Sequence, residues 1–152
     1  MRLLITGITG FVGSHLADQA LAHGATVVGS LRRTSKLDNL EHVRDRIELV
    51  EADLEDVHAT RRLVEAARPD WVVHLAAQSS ASASWKEPAE TLRINTVCQI
   101  NVLEVLRTRP GTPRCLVIGS SDEYGFVRET ELPITEDSPL RPLSPYAVSK
   151  VA

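Results

Sequence analysis

The sequence predicts an alternating α/β fold built around a parallel sheet. Short apolar runs typical of strands alternate with segments whose apolar residues recur at helical spacing. Units of strand, helix and strand close by right-handed crossovers, which force the strands to run parallel and place helices on both faces of the sheet. With 152 residues, of which 43% are hydrophobic and 24% charged, the chain can bury one sizeable core, so we expect one domain over residues 1–152.

The first half of the chain supplies three strands and one helix. Residues 3–5 are a short β-type run, and apolar residues then follow the helical period from Phe11 to Leu21. Gly24 ends this pattern, as a C-cap glycine does. Two further apolar runs predict the second and third strands, at residues 26–28 and 47–50.

The second half repeats the alternation and then becomes polar. Helical periodicity runs over residues 57–68 and 89–107, and apolar runs predict strands at 71–75 and 115–118. Residues 121–144 carry three prolines and many acidic residues, which predicts an irregular loop longer than the usual ~4 to 6 residues. Ser144 and Pro145 then predict the N-cap and first position of a last helix.

Composition excludes several classes of function. The formal net charge is −3 and no basic run exceeds Arg32-Arg33, so the footprint of a nucleic-acid-binding protein is missing. No apolar run approaches the ~18 residues that cross a bilayer, and the apolar stretch at the start is too short for a signal peptide. We therefore expect a cytoplasmic protein without a membrane partner. Cys98 and Cys115 show neither metal-ligand spacing nor a disulfide framework, so no metal is expected.

A glycine-rich turn joins the first predicted strand to the first helix. Gly7, Gly10 and Gly13 form a Gly-x-x-Gly-x-x-Gly pattern. The first glycine can make a tight turn, the second lets backbone N–H groups approach a pyrophosphate, and the third lets the helix lie close to the strand. Turn glycines without a ligand are the alternative, but the flanking strand and helix favour a dinucleotide site. With Thr6 leading, the spacing resembles the short-chain dehydrogenase/reductase superfamily.

The choice between NADP and NAD is expected just after the second strand. Arg32 and Arg33 stand about 20 residues past the last glycine, where a cofactor-selecting group belongs. Two guanidinium groups bind a phosphate that a carboxylate would repel, which predicts NADP. The alternatives are a solvated arginine pair, and an Asp38 that binds the ribose of NAD.

Asp53-Leu54, after the third strand, stands where the resemblance to this superfamily implies a contact with adenine. An N-cap role for Asp53 or Asp56 is equally compatible with the sequence.

Tyr146 and Lys150 form a Tyr-x-x-x-Lys motif in the last predicted helix. Residues four apart share a helix face, so the Lys150 ammonium can stabilise the Tyr146 phenolate and let this tyrosine act as an acid or base at neutral pH. A serine at the end of the fifth strand, in the run Gly119-Ser120-Ser121, can hydrogen-bond the substrate oxygen that exchanges its proton with Tyr146. Capping serines and a surface tyrosine are the alternative.

The three motifs together are similar to the extended short-chain dehydrogenases that act on nucleotide sugars. Segments 29–35, 40–42 and 74–79 resemble GDP-mannose 4,6-dehydratases, whereas segments 79–80, 84–85, 118–125 and 140–146 resemble GDP-4-keto-6-deoxy-mannose reductases. The resemblance implies the N-terminal part of such an enzyme, a Rossmann-type doubly wound sheet with strand order 3-2-1-4-5, without the C-terminal region that binds the nucleotide sugar. We therefore expect a longer, homo-oligomeric parent enzyme and a weakly active or inactive piece.

The resemblance also implies roles for single residues. Matched on Tyr124-Gly125, the catalytic Ser/Thr falls on Ser120, with Ser121 if the register slips by one, and the dehydratases' elimination acid, a Glu, falls on Asp122 beside Glu123. The shorter carboxylate departs from the dehydratase pattern, and a carbonyl reductase does not need this acid. Asn95 falls near a position that organises the site in this family, with a helix-surface asparagine as the alternative. The expected cofactor contacts are Gly7, Thr9, Gly10, Phe11, Val12, Gly13, Arg32, Arg33, Asp53, Leu54, Leu75, Ala76, Ala77, Tyr146 and Lys150.

The function expected from this resemblance is NAD(P)-dependent modification of a nucleotide sugar, by a GDP-mannose 4,6-dehydratase or a GDP-4-keto-6-deoxy-mannose reductase. A nucleotide-sugar 4-epimerase is the alternative among enzymes, since the same three residues would serve it. A dinucleotide-binding module without turnover is the alternative outside enzymes. Such relatives usually lose the tyrosine or the lysine, and both stand here.

Overall fold

The computed structural model describes residues 1–111 and 113–152 and contains a five-stranded parallel sheet. The strands are β1 (Arg2–Thr6), β2 (Thr26–Leu31), β3 (Glu48–Glu51), β4 (Trp71–His74) and β5 (Arg114–Val117). Their order is β3-β2-β1-β4-β5, and every neighbouring pair is parallel. The parallel sheet and the strand order 3-2-1-4-5 are both confirmed.

The register brings the carboxyl ends of the central strands to one edge of the sheet. Thr6 of β1 pairs with Ser30 of β2 on one side and with His74 of β4 on the other. The segments that follow these strands therefore leave the sheet at the same edge, which is where open α/β sheets bind their ligands.

The described helices are α1 (Phe11–Ala22), α2 (Val57–Ala67), α3 (Ala81–Ser84), α4 (Pro88–Thr108) and α5 (Pro145–Val151). Gly24 lies just beyond α1 with a φ of +74°, and its N–H donates to the carbonyl of Leu21, as the predicted C-cap glycine should. α2 ends with Arg68 in the left-handed conformation, directly before Pro69. The three long helices thus begin and end within a residue or so of their predicted limits.

The central strands β1, β2 and β4 bury side chains on both faces of the sheet. Side chains of β1, β2 and β4 join those of α1 and of a 3-10 helix, Asp38–Arg46, in one core cluster that includes Leu3, Ile5, Val27, Val73, Ala17, Ala20, Leu40 and Val43. Because side chains alternate along a strand, Leu4, Val28 and Val72 point to the opposite face, and each is fully buried at 0% exposure.

Three regions contain more structure than the sequence predicted. The 3-10 helix Asp38–Arg46 was missed because Leu40 and Val43 alone of its residues are buried, too few to show a period. α3 has only four residues and begins at a cap, the Ser80 hydroxyl accepting the Ala83 N–H. The expected irregular loop at 121–144 contains the 3-10 helices Ser121–Tyr124 and Glu129–Glu131.

The described chain divides into two compact units. The first, Met1–Ala77 with Val97–Ile118, contains the sheet, and the second, Gln78–Thr96 with Gly119–Ala152, contains α3 and α5. The single domain expected over residues 1–152 stays a prediction. Cys98 is buried and Cys115 is half-buried, and neither forms a disulfide within the described residues. Among the described helices, none combines the length and the apolar character that a membrane span requires.

Candidate active site

The glycine-rich turn between β1 and α1 has the backbone shape that its spacing predicts. Gly7 has a φ of +68°, a conformation in which other residues are strained. A Cβ on Gly13 would lie 2.5 Å from the Gly7 carbonyl oxygen, so only glycine lets α1 start this close to the turn. A Cβ on Gly10 would meet nothing nearer than that oxygen, at 3.4 Å, so packing within the chain does not require this glycine. Access of a ligand to the backbone is the physical reason that fits.

The start of α1 has the features of an anion site. Gly10 is the N-cap and offers no side-chain cap, and no acidic residue stands in the first turn. Phe11 and Val12 are 75% and 59% exposed although both are apolar. Because N–H groups at a helix start carry partial positive charge, this turn fits the pyrophosphate of a dinucleotide.

The segment after β4 lies against this turn. A Cβ on Gly7 would lie 2.9 Å from the backbone nitrogen of Ala76. Leu75, Ala76 and Ala77 are all half-buried. Two of the expected groups of cofactor contacts are therefore adjacent in the first unit.

Arg32 and Arg33 follow β2 at the same edge of the sheet, and both are exposed. Ser35 fixes their turn: its N–H donates to the Arg32 carbonyl at 2.8 Å and its hydroxyl accepts the Arg32 N–H at 3.0 Å. Asp38, the alternative ribose ligand, is also exposed and begins the 3-10 helix. Both guanidinium groups are accessible to a phosphate, and the preference for NADP stays a prediction.

The structure separates the roles of Asp53 and Asp56. Asp56 is the N-cap of α2, and its carboxylate accepts the His58 N–H at 2.8 Å. That backbone hydrogen bond is the main reason why the pKa of Asp56 lies below its usual range. Asp53 instead accepts the Glu55 N–H at 3.0 Å and stays exposed, beside a buried Leu54. The N-cap alternative therefore applies to Asp56, and the adenine contact of Asp53-Leu54 stays a prediction.

In the second unit, Ser120 caps the 3-10 helix Ser121–Tyr124. Its hydroxyl accepts the Asp122 N–H at 3.2 Å, and its own N–H donates to the Glu123 carboxylate at 2.7 Å. These bonds leave the proton of the Ser120 hydroxyl without a partner among the described residues. Ser121 and Asp122 are exposed, whereas Glu123 is half-buried. A capping role, one of the alternatives for this serine, is thus compatible with donation to a substrate oxygen.

Helix α5 presents Tyr146 and Lys150 as the motif predicts. The Ser144 hydroxyl accepts the Ala147 N–H at 3.0 Å and Pro145 occupies the first turn, which confirms the predicted start of the helix. The Lys150 ammonium lies 5.9 Å from the centre of the Tyr146 ring. α5 packs against the 3-10 helix that Ser120 caps, so the structure brings the three predicted catalytic residues into one unit.

The charge of Lys150 responds to two opposing influences. Burial lowers the pKa of this lysine below its ordinary value of 10.5, and the Glu123 carboxylate acts in the opposite direction. The Glu123 carboxylate thus accepts a hydrogen bond from the Ser120 N–H and also serves as a counter-charge for Lys150.

Comparison with known proteins assigns the family. Residues 4–152 match the family model described as GDP-mannose 4,6 dehydratase. The chain belongs to the GDP-mannose 4,6-dehydratase family. The resemblance to extended short-chain dehydrogenases that act on nucleotide sugars is thereby confirmed.

The relatives of this member of the GDP-mannose 4,6-dehydratase family are named as different enzymes of nucleotide sugars. A GDP-6-deoxy-D-mannose reductase of Pseudomonas aeruginosa is 39% identical in an alignment that covers 99% of this chain and 44% of the reductase. A UDP-glucose 4-epimerase of Mycolicibacterium smegmatis is 38% identical in an alignment that covers 100% of this chain and 49% of the epimerase. The crystal structure of a Thermus thermophilus UDP-glucose 4-epimerase in complex with NAD is 36% identical, with a TM-score of 0.83 over 99% of this chain and 47% of that one. The chain thus spans about half the length of these relatives.

Asn95, for which the sequence allowed either a role in the site or a position on the helix surface, is a buried side chain in this family member. It is 5% exposed, so the helix-surface alternative is wrong. Its side-chain oxygen accepts the Gln78 N–H at 2.7 Å, and its NH₂ group donates to the Gln78 carbonyl at 3.1 Å and to the Ser149 hydroxyl at 2.8 Å. Ser149 in turn donates to the Tyr146 carbonyl at 2.6 Å. Asn95 therefore holds α5 through the residue that precedes Lys150.

Sequence reasoning missed two residues that support these sites. Asn39 donates to the Thr9 carbonyl at 3.0 Å and so anchors the glycine-rich turn, but it stands in a polar stretch without periodicity. Ser149 occupies one of the x positions of the Tyr-x-x-x-Lys motif, to which the spacing assigns no role. Its hydrogen bond to Asn95 joins positions 54 residues apart, which no local pattern reveals.

Proposed function

We propose that the full-length protein is an NAD(P)-dependent enzyme that modifies a nucleotide sugar, as a GDP-mannose 4,6-dehydratase or as a GDP-4-keto-6-deoxy-mannose reductase. The observation that carries this proposal is the joint placement of Ser120, Tyr146 and Lys150, with the lysine ammonium 5.9 Å from the tyrosine ring. A dinucleotide-binding module without turnover has no use for this arrangement. The family and the 39% identical reductase support the same chemistry.

Each of the three residues has one task in the proposed reaction. A bound nicotinamide dinucleotide supplies the hydride acceptor or donor for C4 of the sugar. Tyr146 takes the proton of the C4 hydroxyl in the dehydratase, or returns a proton to the 4-ketone in the reductase. The Lys150 ammonium stabilises the phenolate form of Tyr146, and the Ser120 hydroxyl donates a hydrogen bond to the sugar oxygen.

The dehydratase and the reductase differ in their need for a further acid. Loss of water across C5 and C6 requires a group that transfers protons, and the candidate is Asp122, which stands where the dehydratases carry a Glu. Asp122 is exposed, whereas the carboxylate of its neighbour Glu123 accepts the Ser120 N–H. We therefore assign proton transfer to Asp122 and a positioning role to Glu123.

Asp122→Asn separates the two reactions. If the enzyme is a dehydratase, the amide cannot transfer protons, so the reaction stalls after oxidation at C4 and reduced cofactor accumulates. If it is a reductase, the substitution costs only a modest factor in rate. Absorbance of the reduced cofactor and mass spectrometry of the product, with GDP-mannose and with its 4-keto-6-deoxy derivative, distinguish these outcomes. No conversion of either substrate by the unsubstituted enzyme would contradict both assignments.

We propose NADP as the preferred cofactor, because Arg32 and Arg33 are exposed at the edge where the adenosine ribose is expected. Loss of one charge-assisted phosphate contact typically costs ~1.5 to 3 kcal/mol, so Arg32→Ala or Arg33→Ala should weaken NADP binding roughly tenfold or more. NAD binding should stay nearly unchanged. Calorimetric titration with each cofactor is the measurement. Equal losses for NADP and NAD would show that the arginines do not bind the 2′-phosphate.

A nucleotide-sugar 4-epimerase is the second candidate, favoured by the 38% identity to an enzyme named UDP-glucose 4-epimerase. It would return an inverted C4 hydroxyl without net change in the cofactor, which product analysis detects. The cytoplasmic location, the homo-oligomeric state and the absence of a nucleic-acid partner stay predictions.

A further inference from the structure

Two buried polar side chains meet at the carboxyl ends of β1 and β4. Thr6 is 0% exposed and His74 is 5% exposed, and they are paired in the register of the sheet. The Thr6 hydroxyl oxygen lies 2.8 Å from Nδ1 of His74. Buried polar groups need partners, so this contact has to be a hydrogen bond of defined direction.

The other partners of Thr6 fix that direction. Its hydroxyl oxygen accepts the N–H of Leu75 at 3.1 Å and the N–H of Ala76 at 3.2 Å. A hydroxyl has two acceptor lone pairs and one proton, so both lone pairs are used. The proton of Thr6 therefore goes to His74, whose Nδ1 must be unprotonated. His74 is neutral, with its proton on Nε2.

We propose that His74 is a positioning residue for the dinucleotide site. By accepting the proton of the Thr6 hydroxyl, His74 orients this hydroxyl so that its oxygen accepts the N–H groups of Leu75 and Ala76. Those groups begin the segment that touches the glycine-rich turn, where a Cβ on Gly7 would lie 2.9 Å from the Ala76 nitrogen. His74 thus fixes the spacing of the two cofactor-binding segments. This inference rests on the proposed function of the turn.

The first test is spectroscopic and needs no substitution. Nitrogen NMR of the ¹⁵N-histidine-labelled protein at neutral pH should show His74 as a neutral ring with Nδ1 unprotonated and Nε2 protonated; His74→Asn assigns its signals. A proton on Nδ1, or a doubly protonated ring, would overturn the inference. The Nδ1–H and the N–H groups of Leu75 and Ala76 would then be three donors to a hydroxyl oxygen that has two lone pairs.

The second test measures binding of NADPH alone, by its fluorescence. In His74→Asn, the side-chain oxygen can occupy the position of Nδ1 and accept the same proton, whereas His74→Leu has no acceptor. We expect His74→Leu to bind NADPH about tenfold more weakly, the equivalent of one buried hydrogen bond, and His74→Asn to stay within about threefold of the unsubstituted protein. Circular dichroism checks that each variant is folded.

A second pair of variants keeps the inference falsifiable if His74→Leu does not fold. Thr6→Ser retains the hydroxyl and should bind NADPH nearly normally, whereas Thr6→Val removes it and should not. Equal binding by the two members of either folded pair would overturn the positioning role while leaving the dinucleotide site intact. Absence of NADPH and NADH binding in the unsubstituted protein would instead overturn the proposed function of the turn, and the positioning role with it.

Discussion

At the scale of single residues, the proposed chemistry depends on a lysine that must keep its charge while half-buried. Burial lowers the pKa of Lys150 and the Glu123 carboxylate raises it. Because the folded-state pKa lies below the ordinary value of 10.5, the unfolded chain binds more protons between these two values. The contribution of Lys150 to stability therefore increases as the pH rises through this interval.

Glu123→Gln should lower the pKa of Lys150 further, because the substitution removes the negative charge and leaves the burial in place. The interval in which stability rises with pH then begins at a lower pH. NMR titration of the lysine side-chain nitrogen measures the shift directly. Asp122→Asn is the matched control, since it removes a neighbouring carboxylate that is not among the influences on Lys150. An unchanged Lys150 pKa in Glu123→Gln would show that this carboxylate is not its counter-charge.

At the scale of elements, the geometry of α1 and its turn is the part of the site that the sequence predicts best. The requirement for Gly7 and Gly13 follows from spacing alone, and the structure agrees for steric reasons. The supports of α5 were not predictable in the same way, because Asn95 acts on Ser149 across 54 positions of sequence. The capping box of Ser120 and Glu123 was also missed, since the segment after β5 showed no helical period.

Gly13→Ala should destabilise the fold more than Gly24→Ala does. The added methyl group at Gly13 meets backbone atoms at 2.5 to 2.8 Å, and backbone cannot move aside cheaply. At Gly24 nothing lies within 4 Å, so only the strain of a φ of +74° remains, typically ~1 to 2 kcal/mol. Urea unfolding measures both losses, and NADPH titration should show weaker binding for Gly13→Ala alone. A smaller loss of stability in Gly13→Ala than in Gly24→Ala would contradict this steric account.

At the scale of the whole molecule, the two compact units divide the candidate residues by task. The first contains the glycine-rich turn, the arginine pair and the segment after β4, all suited to a dinucleotide. The second contains Ser120, Tyr146 and Lys150, to which we assign the proposed proton transfer. The fold was predictable because strands and helices alternate regularly. The division into units was not, since α4 contributes residues to both and its apolar period continues across the boundary.

The most direct test of the central claim is turnover by Tyr146→Phe in the full-length protein, with GDP-mannose and with its 4-keto-6-deoxy derivative. The substitution removes one hydroxyl and with it the proposed proton relay. We expect the rate to fall by ~10² to 10⁴, the usual contribution of general acid and base catalysis, while the affinity for NADPH stays unchanged. Undiminished turnover of either substrate by Tyr146→Phe would contradict the catalytic assignment and leave only the dinucleotide site.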